Sequence, residues 1–221
     1  MADSSPIPDD VLGRRALLPV KPAAVTLTGK LVELRPLELE ADVAELHACS
    51  SGEGSERIWT WMSGGPFANA AALRTWLAAQ VDAPDGRPFA VKSIGTGALI
   101  GVANIMANQP AHLKLELGSI WYATSAQGTG ASAEATHLMC AHAFALGYRR
   151  VEWKCDANNE PSRKAALAYG FTYEGTQDCH YIIKGKNRDT AWFRMLVGEW
   201  PDRGPKLLAY ANQRAGSRRT M

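Results

Sequence analysis

The sequence predicts a mixed-sheet α/β domain, on three observations. Strand-sized apolar or alternating runs recur along the chain, segments of helical period separate them, and a Gly95-Thr96-Gly97 turn joins two central runs as a hairpin. Apolar residues make up 46% of the 221 residues and charged residues 21%, the proportions of a globular protein. Wholesale disorder, collagen and coiled coil are thereby excluded.

Residues 1–24 read as an extended N-terminal arm, because Pro6, Pro8, Pro19 and Pro22 interrupt any regular period. Val11, Leu12, Leu17, Leu18 and Val20 are too apolar for a free linker, so the arm is expected to lie on the body or on a neighbouring subunit. Residues 25–200 form the predicted domain. Its first strand covers 31–34 and stops at Pro36; helices are predicted over 40–51 and 68–81, the second burying Leu73, Trp76 and Leu77 on one face. Between them lies an aromatic stretch, Arg57 to Met62, ending at Gly64-Gly65-Pro66. The hairpin pairs 88–94 with 98–106.

Leu113, Leu115 and Leu117 then alternate with Lys114 and Glu116 as a half-buried strand, which runs on into Ile120-Trp121-Tyr122. The Gly118-Ser119 pair inside that pattern predicts a bulge. Ala131, Ala135, Leu138, Met139, His142, Ala143 and Leu146 recur at helical spacing until Gly147. A strand over 151–156 follows, then a short helix over 162–169 that starts at Asn158-Asn159-Glu160-Pro161 and stops at Gly170. Residues 171–173, 180–183 and 192–197 supply the last strands. From Arg203 onward there are five cations and no acid, so residues 201–221 read as a solvated basic tail.

The longest apolar stretches are strand-sized, so no membrane-spanning helix is expected. Asp3, Asp9 and Asp10, with no apolar run behind a basic start, speak against a signal peptide, and a cytoplasmic location is expected. The net charge of +2 names no partner, and the basic terminus alone is a weak argument for nucleic acid. Cys49, Cys140, Cys155 and Cys179 lack a CxxC spacing and are expected as small buried hydrophobes. His137 and His142 are five apart on a predicted helix and do not share the face that a four-residue spacing gives. No metal site is expected.

Gln127, Gly128, Thr129, Gly130, Ala131 and Ser132 follow a strand and open a helix. Glycines let the backbone approach an anion, and the first free N–H groups of a helix point at it. The segment is therefore a candidate pyrophosphate seat, although a tight strand–helix junction uses the same composition. It lacks a P-loop lysine, which argues against nucleoside triphosphate hydrolysis.

Further pieces occur in a fixed order: Leu34-Arg35-Pro36-Leu37, Gly118 to Tyr122, Gln127-x-x-Gly130-x-Ser132, Glu134-Ala135, Asn159-x-x-Ser162, Gly170-Phe171 and Glu174-Gly175. In these residues the chain resembles the GNAT superfamily of acyl-CoA-dependent N-acyltransferases, and within it the ribosomal-protein N-terminal (Rim-type) branch. The resemblance spans residues 29–198. It implies a mixed, mostly antiparallel central sheet flanked by helices, with two central strands splayed at the bulge and acetyl-CoA as acyl donor between them. Backbone groups of Ile120, Trp121 and Tyr122 would pair with the pantetheine, the N–H groups of Gly128 through Ser132 would hold the pyrophosphate, and Asn159 the pantetheine arm. Splayed strands do leave unpaired amides that a ligand must satisfy.

Two departures from the family pattern stand out. Thr129 occupies the place of a customary cation and Ser132 that of a Gly or Ala, so the counter-charge is expected from elsewhere, with Arg163 or Lys164 as candidates. The tyrosine that many relatives carry seven residues after the asparagine is Ala166, which leaves Ser162, also a candidate capping residue, to protonate the departing thiolate. The resemblance puts His180 where the Rim branch has a catalytic carboxylate, as candidate general base, with Glu116 second; each is equally readable as an ordinary strand residue. A histidine of pKa about 6.5 takes a proton more easily from an α-ammonium than from a lysine. A backbone N–H of the bulged strand would stabilise the oxyanion, and Trp59 to Trp61 with Phe67 could roof the acceptor cleft.

The implied function is transfer of an acetyl group from acetyl-CoA to a primary amine, of a small molecule or of a protein or peptide N-terminus, within a ternary complex. Two alternatives stay open on the sequence: an acetyltransferase for a polyamine, amino acid or aminoglycoside, and a non-catalytic acyl-CoA-binding module. A homodimer is compatible with each.

Overall fold

The computed structural model describes residues 5–217. The arm opens with a five-residue helix, α1 (Asp9–Gly13), passes through a 3-10 turn (Arg14–Ala16), and then lies along the body. The prolines therefore limit the helix to little more than one turn without abolishing it. Lys21 Nζ donates to the carbonyls of Val81 and Ala83, and Asn108 Nδ2 to those of Pro19 and Val20, which pins the arm down.

The body begins with β1 (Leu27–Thr28), β2 (Val32–Pro36), α2 (Leu39–Ser50), α3 (Glu56–Trp59) and α4 (Ala70–Asp82). It continues through the hairpin β3 (Arg87–Ser93) and β4 (Leu99–Gln109), then β5 (Lys114–Tyr122) and α5 (Ala131–Ala145). It ends with β6 (Arg150–Asp156), α6 (Glu160–Ala168), β7 (Thr172–Ile183), β8 (Lys186–Leu196) and α7 (Trp200–Ser217). The strands form one sheet in the order β1-β2-β3-β4-β5-β6-β8-β7, antiparallel at every junction except β5–β6.

Strand alternation divides the core between the two faces of the sheet. Leu34, Phe89, Val91, Ile105, Leu115 and Leu117 pack with Met139 of α5 and Leu207 of α7. Ala90, Val102 and Trp121 pack with Leu46 of α2, Trp59 of α3 and Leu73 of α4. Side-chain caps start two helices: Asn69 accepts from Ala72 N at 2.9 Å, and Asn159 from Ser162 N at 3.1 Å.

Glu134, in the first turn of α5 and 1% exposed, locks the sheet to that helix. Its carboxylate accepts from the N–H groups of Lys30, Leu31 and Val32 at 2.9, 2.6 and 2.9 Å. A Cβ on Gly29 would overlap that carboxylate, which explains the glycine.

Two sequence expectations change here. The segments 171–173 and 180–183 belong to one long strand, β7, whose register against β8 shifts twice, once between Gln177 and Tyr181 around Cys179 at φ +51°. The basic segment from residue 201 is no solvated tail as far as residue 217: it is helix α7, which buries Gly204, Leu207 and Ala211 along one stripe against α5. Residues 218–221 of that segment lie outside the described residues, as do residues 1–4 of the arm. No helix of the described residues is long and apolar enough to cross a membrane.

Candidate active site

The central parallel pair is joined only at its start. Cross-strand partners run from Lys114↔Arg150 to Leu117↔Trp153 and stop, although β5 continues to Tyr122 and β6 to Asp156. The cause lies on the other edge of β5. Between the Asn104↔Gly118 and Val102↔Trp121 pairs, β4 presents Ala103 alone where β5 presents both Ser119 and Ile120, and Ser119 takes φ +50°. This is the bulge expected from Gly118-Ser119. An extra residue bends and twists its strand, and here it turns the outer half of β5 away from β6.

The wedge opens into a cleft of about 280 Å³. Glu116, Gly118 and Ile120 line one wall, and Trp153 and Cys155 the other. Asn159 and Ser162 at the start of α6 close the inner end. The roof comes from Trp61 and Met62 after α3 and from Tyr181 and Arg188 of the β7–β8 hairpin. Lys184 at the hairpin tip donates to the Trp59 carbonyl at 2.8 Å and so ties the two roof pieces together. Of the aromatic stretch, Trp61 alone among its tryptophans faces the cleft; Trp59 is buried against Phe67, Trp76 and Trp121.

Glu116 is buried at 3% exposure, which removes its reading as a solvent-facing strand residue. Burial holds its pKa above the usual carboxylate range, opposed by Lys154, whose Nζ lies 2.8 Å from Oε2. Ser162 Oγ accepts from Trp153 Nε1 at 3.0 Å. The Cys155 thiol is pushed up by burial, so it is no ready nucleophile. Cys140 and Cys155 are buried as expected, whereas Cys179 is exposed. His180 is not a wall of the cleft. Its ring rests on Tyr181 at 3.9 Å, and burial, then the neighbouring charges of Lys154 and Arg188, lower its pKa, favouring the neutral ring.

The glycine turn lies outside this cleft, beyond the buried side chains of Trp121 and Tyr122. Gly128 and Gly130 adopt φ +73° and +89°. Gln127 Nε2 donates to the Tyr122 carbonyl at 3.2 Å, and Thr129 Oγ1 to the Ala126 carbonyl at 2.7 Å, which ties the turn together from within. Ala131 is buried, and Ser132 Oγ is bonded to the Tyr169 hydroxyl at 2.6 Å. A Cβ on Gly130 would overlap the Ala211 carbonyl, so this glycine admits α7 rather than a ligand. Gly128 is exposed, and a Cβ there would lie 3.3 Å from Arg214 Nη2. The cation beside the turn is thus Arg214 of α7. Lys164 is paired with Glu160 at 2.8 Å and Arg163 bonds the Ala157 carbonyl at 3.0 Å.

Sequence reasoning brought Ile120, Asn159 and Ser162 to one cleft and ranked Glu116 behind His180. It missed Lys154 and Arg188, which carry no motif, and Arg214. For Arg214 a signal existed in the spacing of Gly204, Leu207 and Ala211, masked by the helix-breaking look of Gly204-Pro205.

The fold and wedge define an acyltransferase of a known class. The model of the acetyltransferase (GNAT) domain matches residues 32–172. A GCN5-related N-acetyltransferase from Brucella melitensis is 37% identical over 86% of each chain, with a TM-score of 0.83. A probable acetyltransferase (GNAT family) from Chromobacterium violaceum is 32% identical over 91% of this chain and 98% of that one, also at 0.83. RimJ from Mycobacterium smegmatis, in complex with CoA-disulfide, shares the fold at 22% identity, covering 86% and 95% of the two chains with a TM-score of 0.71. No curated protein matches. The chain belongs to the GNAT acetyltransferase family and is an N-acetyltransferase.

Proposed function

We propose that this enzyme moves an acetyl group from acetyl-CoA directly to a primary amine, of a small molecule or of a protein or peptide N-terminus, with both substrates held together. The observation that carries this reading is the unpaired wedge between β5 and β6, which opens beside the buried carboxylate of Glu116. The residues present fit the donor. The end of β5, paired with β4 on one edge but open on the edge facing β6, offers backbone groups between Ile120 and Tyr122 for a pantetheine amide to satisfy. The first-turn N–H groups of α5, with Gly128 and Arg214 beside them, suit a pyrophosphate. Asn159 is committed as a helix cap through Oδ1, which leaves its amide nitrogen for a carbonyl of the pantetheine arm.

When bound, acetyl-CoA supplies the acetyl group as a thioester: the amine nitrogen forms the new N–C bond as the C–S bond breaks. An ammonium must lose one proton before attack and a second afterwards. Glu116, whose buried carboxylate faces the cleft, takes the first, directly or through a water. Ser162 passes a proton to the departing thiolate, which with a pKa of about 8.5 demands little of a hydroxyl. Ser162 regains its proton from the amine nitrogen after attack, and Glu116 releases the first proton to solvent. A backbone N–H of the bulge at Ser119–Ile120 stabilises the oxyanion. His180, neutral and stacked on Tyr181, positions a wall of the acceptor space.

Thiol release from acetyl-CoA against a panel of primary amines tests this reading. Turnover with at least one amine that depends on Glu116 is expected. Steady accumulation of an acetylated protein intermediate, or turnover insensitive to Glu116→Gln, would overturn it.

A further inference from the structure

We infer that the acceptor amine carries a carboxylate and that Arg188 reads it. The inference rests on the proposed acetyl transfer in the β5–β6 cleft and names the class of amine used there.

Arg188 lies on β8 in the roof of the cleft. Its Nε is shielded from solvent and has no hydrogen-bond acceptor among the described residues. That sets it apart from the other partly buried arginines of the domain. Arg35 is paired with Asp42, Arg150 with Glu152 and Glu174, Arg194 with Glu199, and Arg203 with Glu199, while Arg87 and Arg163 donate to the carbonyls of Pro22 and Ala157. A guanidinium N–H taken from water without an acceptor is costly, and the planar fork it belongs to matches a carboxylate in bidentate fashion.

The charges around it sharpen the reading. Glu116 is already matched by Lys154 at 2.8 Å, and Lys154 also lies over the Trp192 ring at 4.7 Å, so Arg188 remains as the surplus positive charge among these three. Asp156, the remaining acid of the lining, accepts from Asn158 N at 2.8 Å in the β6–α6 turn. Arg188 itself is held over the Tyr181 ring at 5.5 Å, which fixes the guanidinium in place before any ligand arrives. A polyamine or an aminoglycoside would bring several positive charges against Arg188 and Lys154, with Glu116 already neutralised. An amine with a nearby carboxylate instead presents its nitrogen to Glu116 and its anion to Arg188. The cleft volume of about 280 Å³ admits a small amino acid or the first residue of a peptide.

The test compares isosteric acceptors that differ only in carboxylate charge: glutamate with its fully amidated derivative, which lacks two, and peptides starting Asp-Ala with peptides starting Asn-Ala, which lack one. In the native enzyme the carboxylated member of at least one pair should have a kcat/KM tenfold or more above its neutral isostere. Arg188→Gln should abolish that preference while leaving the Kd for CoA, measured by calorimetry, within twofold, and Arg188→Lys should restore part of it. A response confined to free glutamate identifies a small-molecule acceptor, and one confined to the peptides identifies an N-terminus. No preference in the native enzyme, spermidine as the best acceptor, or loss of CoA affinity in Arg188→Gln would each overturn the assignment. If CoA binds but no amine turns over, the transfer reading fails. Calorimetry of the carboxylated amines against the CoA-loaded protein then decides Arg188 separately: binding that Arg188→Gln removes sustains the assignment, and absence of binding rejects it.

Discussion

Replacing Glu134 by alanine tests whether the β1–β2 turn is held to α5 by a single carboxylate. The side chain accepts three backbone N–H groups at 2.6 to 2.9 Å, from Lys30, Leu31 and Val32. Only Val32 is buried, so its N–H would be left without water or protein, at roughly 1–3 kcal/mol. Lys30 is exposed and Leu31 half-buried, so water replaces the carboxylate there and each lost charge-assisted bond counts for about 0.5–1 kcal/mol. The total is about 3 kcal/mol, which for a chain of this length lowers Tm by roughly 6–12 °C. Differential scanning calorimetry reads the shift directly, and Glu134→Gln, which keeps one acceptor oxygen, should fall between the native and alanine proteins. A Tm within 2 °C of native for Glu134→Ala would refute the reasoning, because it would mean that the three amides find other partners without cost. Calorimetric titration of CoA adds a functional readout: loosening β1–β2 from α5 should weaken binding even at temperatures where the variant is fully folded.

Three further outcomes are expected. The acidic limb of kcat/KM should lie above the ordinary carboxylate range, because burial raises the Glu116 pKa; below it Glu116 is protonated and cannot accept, so the rate rises with pH through that value. Glu116→Gln should remove the limb and lower kcat about 100-fold or more, whereas His180→Ala should keep the limb; the reverse pattern in stopped-time assays would return the base to His180. Arg214→Gln should weaken CoA binding about 5-fold at low salt and flatten its salt dependence, while leaving the affinity for a pantetheine lacking phosphates unchanged. An equal loss for both ligands by calorimetry would show that α7 has merely come loose. Gly130→Val should lower Tm strongly, since its φ of +89° is joined by overlap with the Ala211 carbonyl, whereas Gly128→Ala carries the strain of φ +73° and a contact with Arg214 alone. Equal Tm values for the two variants would contradict the packing of α7 on the turn.

The sequence made the wedge legible because its cause is local. Gly118-Ser119 interrupts an alternating strand, and an interruption of that kind has few outcomes besides a bulge. Helix boundaries were legible for the same reason: Asn159, Gly147 and Gly170 act within one turn of their own positions. What stayed hidden depends on distant partners. Glu116 and the solvent face of a half-buried strand follow the same alternation, and only the roof delivered by β7, β8 and the loop after α3 buries it. Arg188 sits among the polar first residues of β8, Lys186 to Asp189, which gave no core signal, so its lack of a carboxylate could be noticed only once the pairs of its neighbours were known.

The same argument explains why the second half of the cleft is the more informative half about substrate. The donor side is built mainly from backbone geometry, a bulge and a helix start that lie within the residues the family model matches. The family model itself ends at residue 172, before β7, β8 and α7, yet those elements contribute Tyr181 and Arg188 to the roof and Arg214 to the turn. The proposed base Glu116 and the bulge therefore lie in the matched core, whereas Arg188, proposed to read the acceptor, and Arg214, proposed to face the pyrophosphate, lie beyond it. Exchanging the β7–β8 hairpin between this enzyme and a relative should move acceptor preference with the hairpin and leave the Kd for CoA behind.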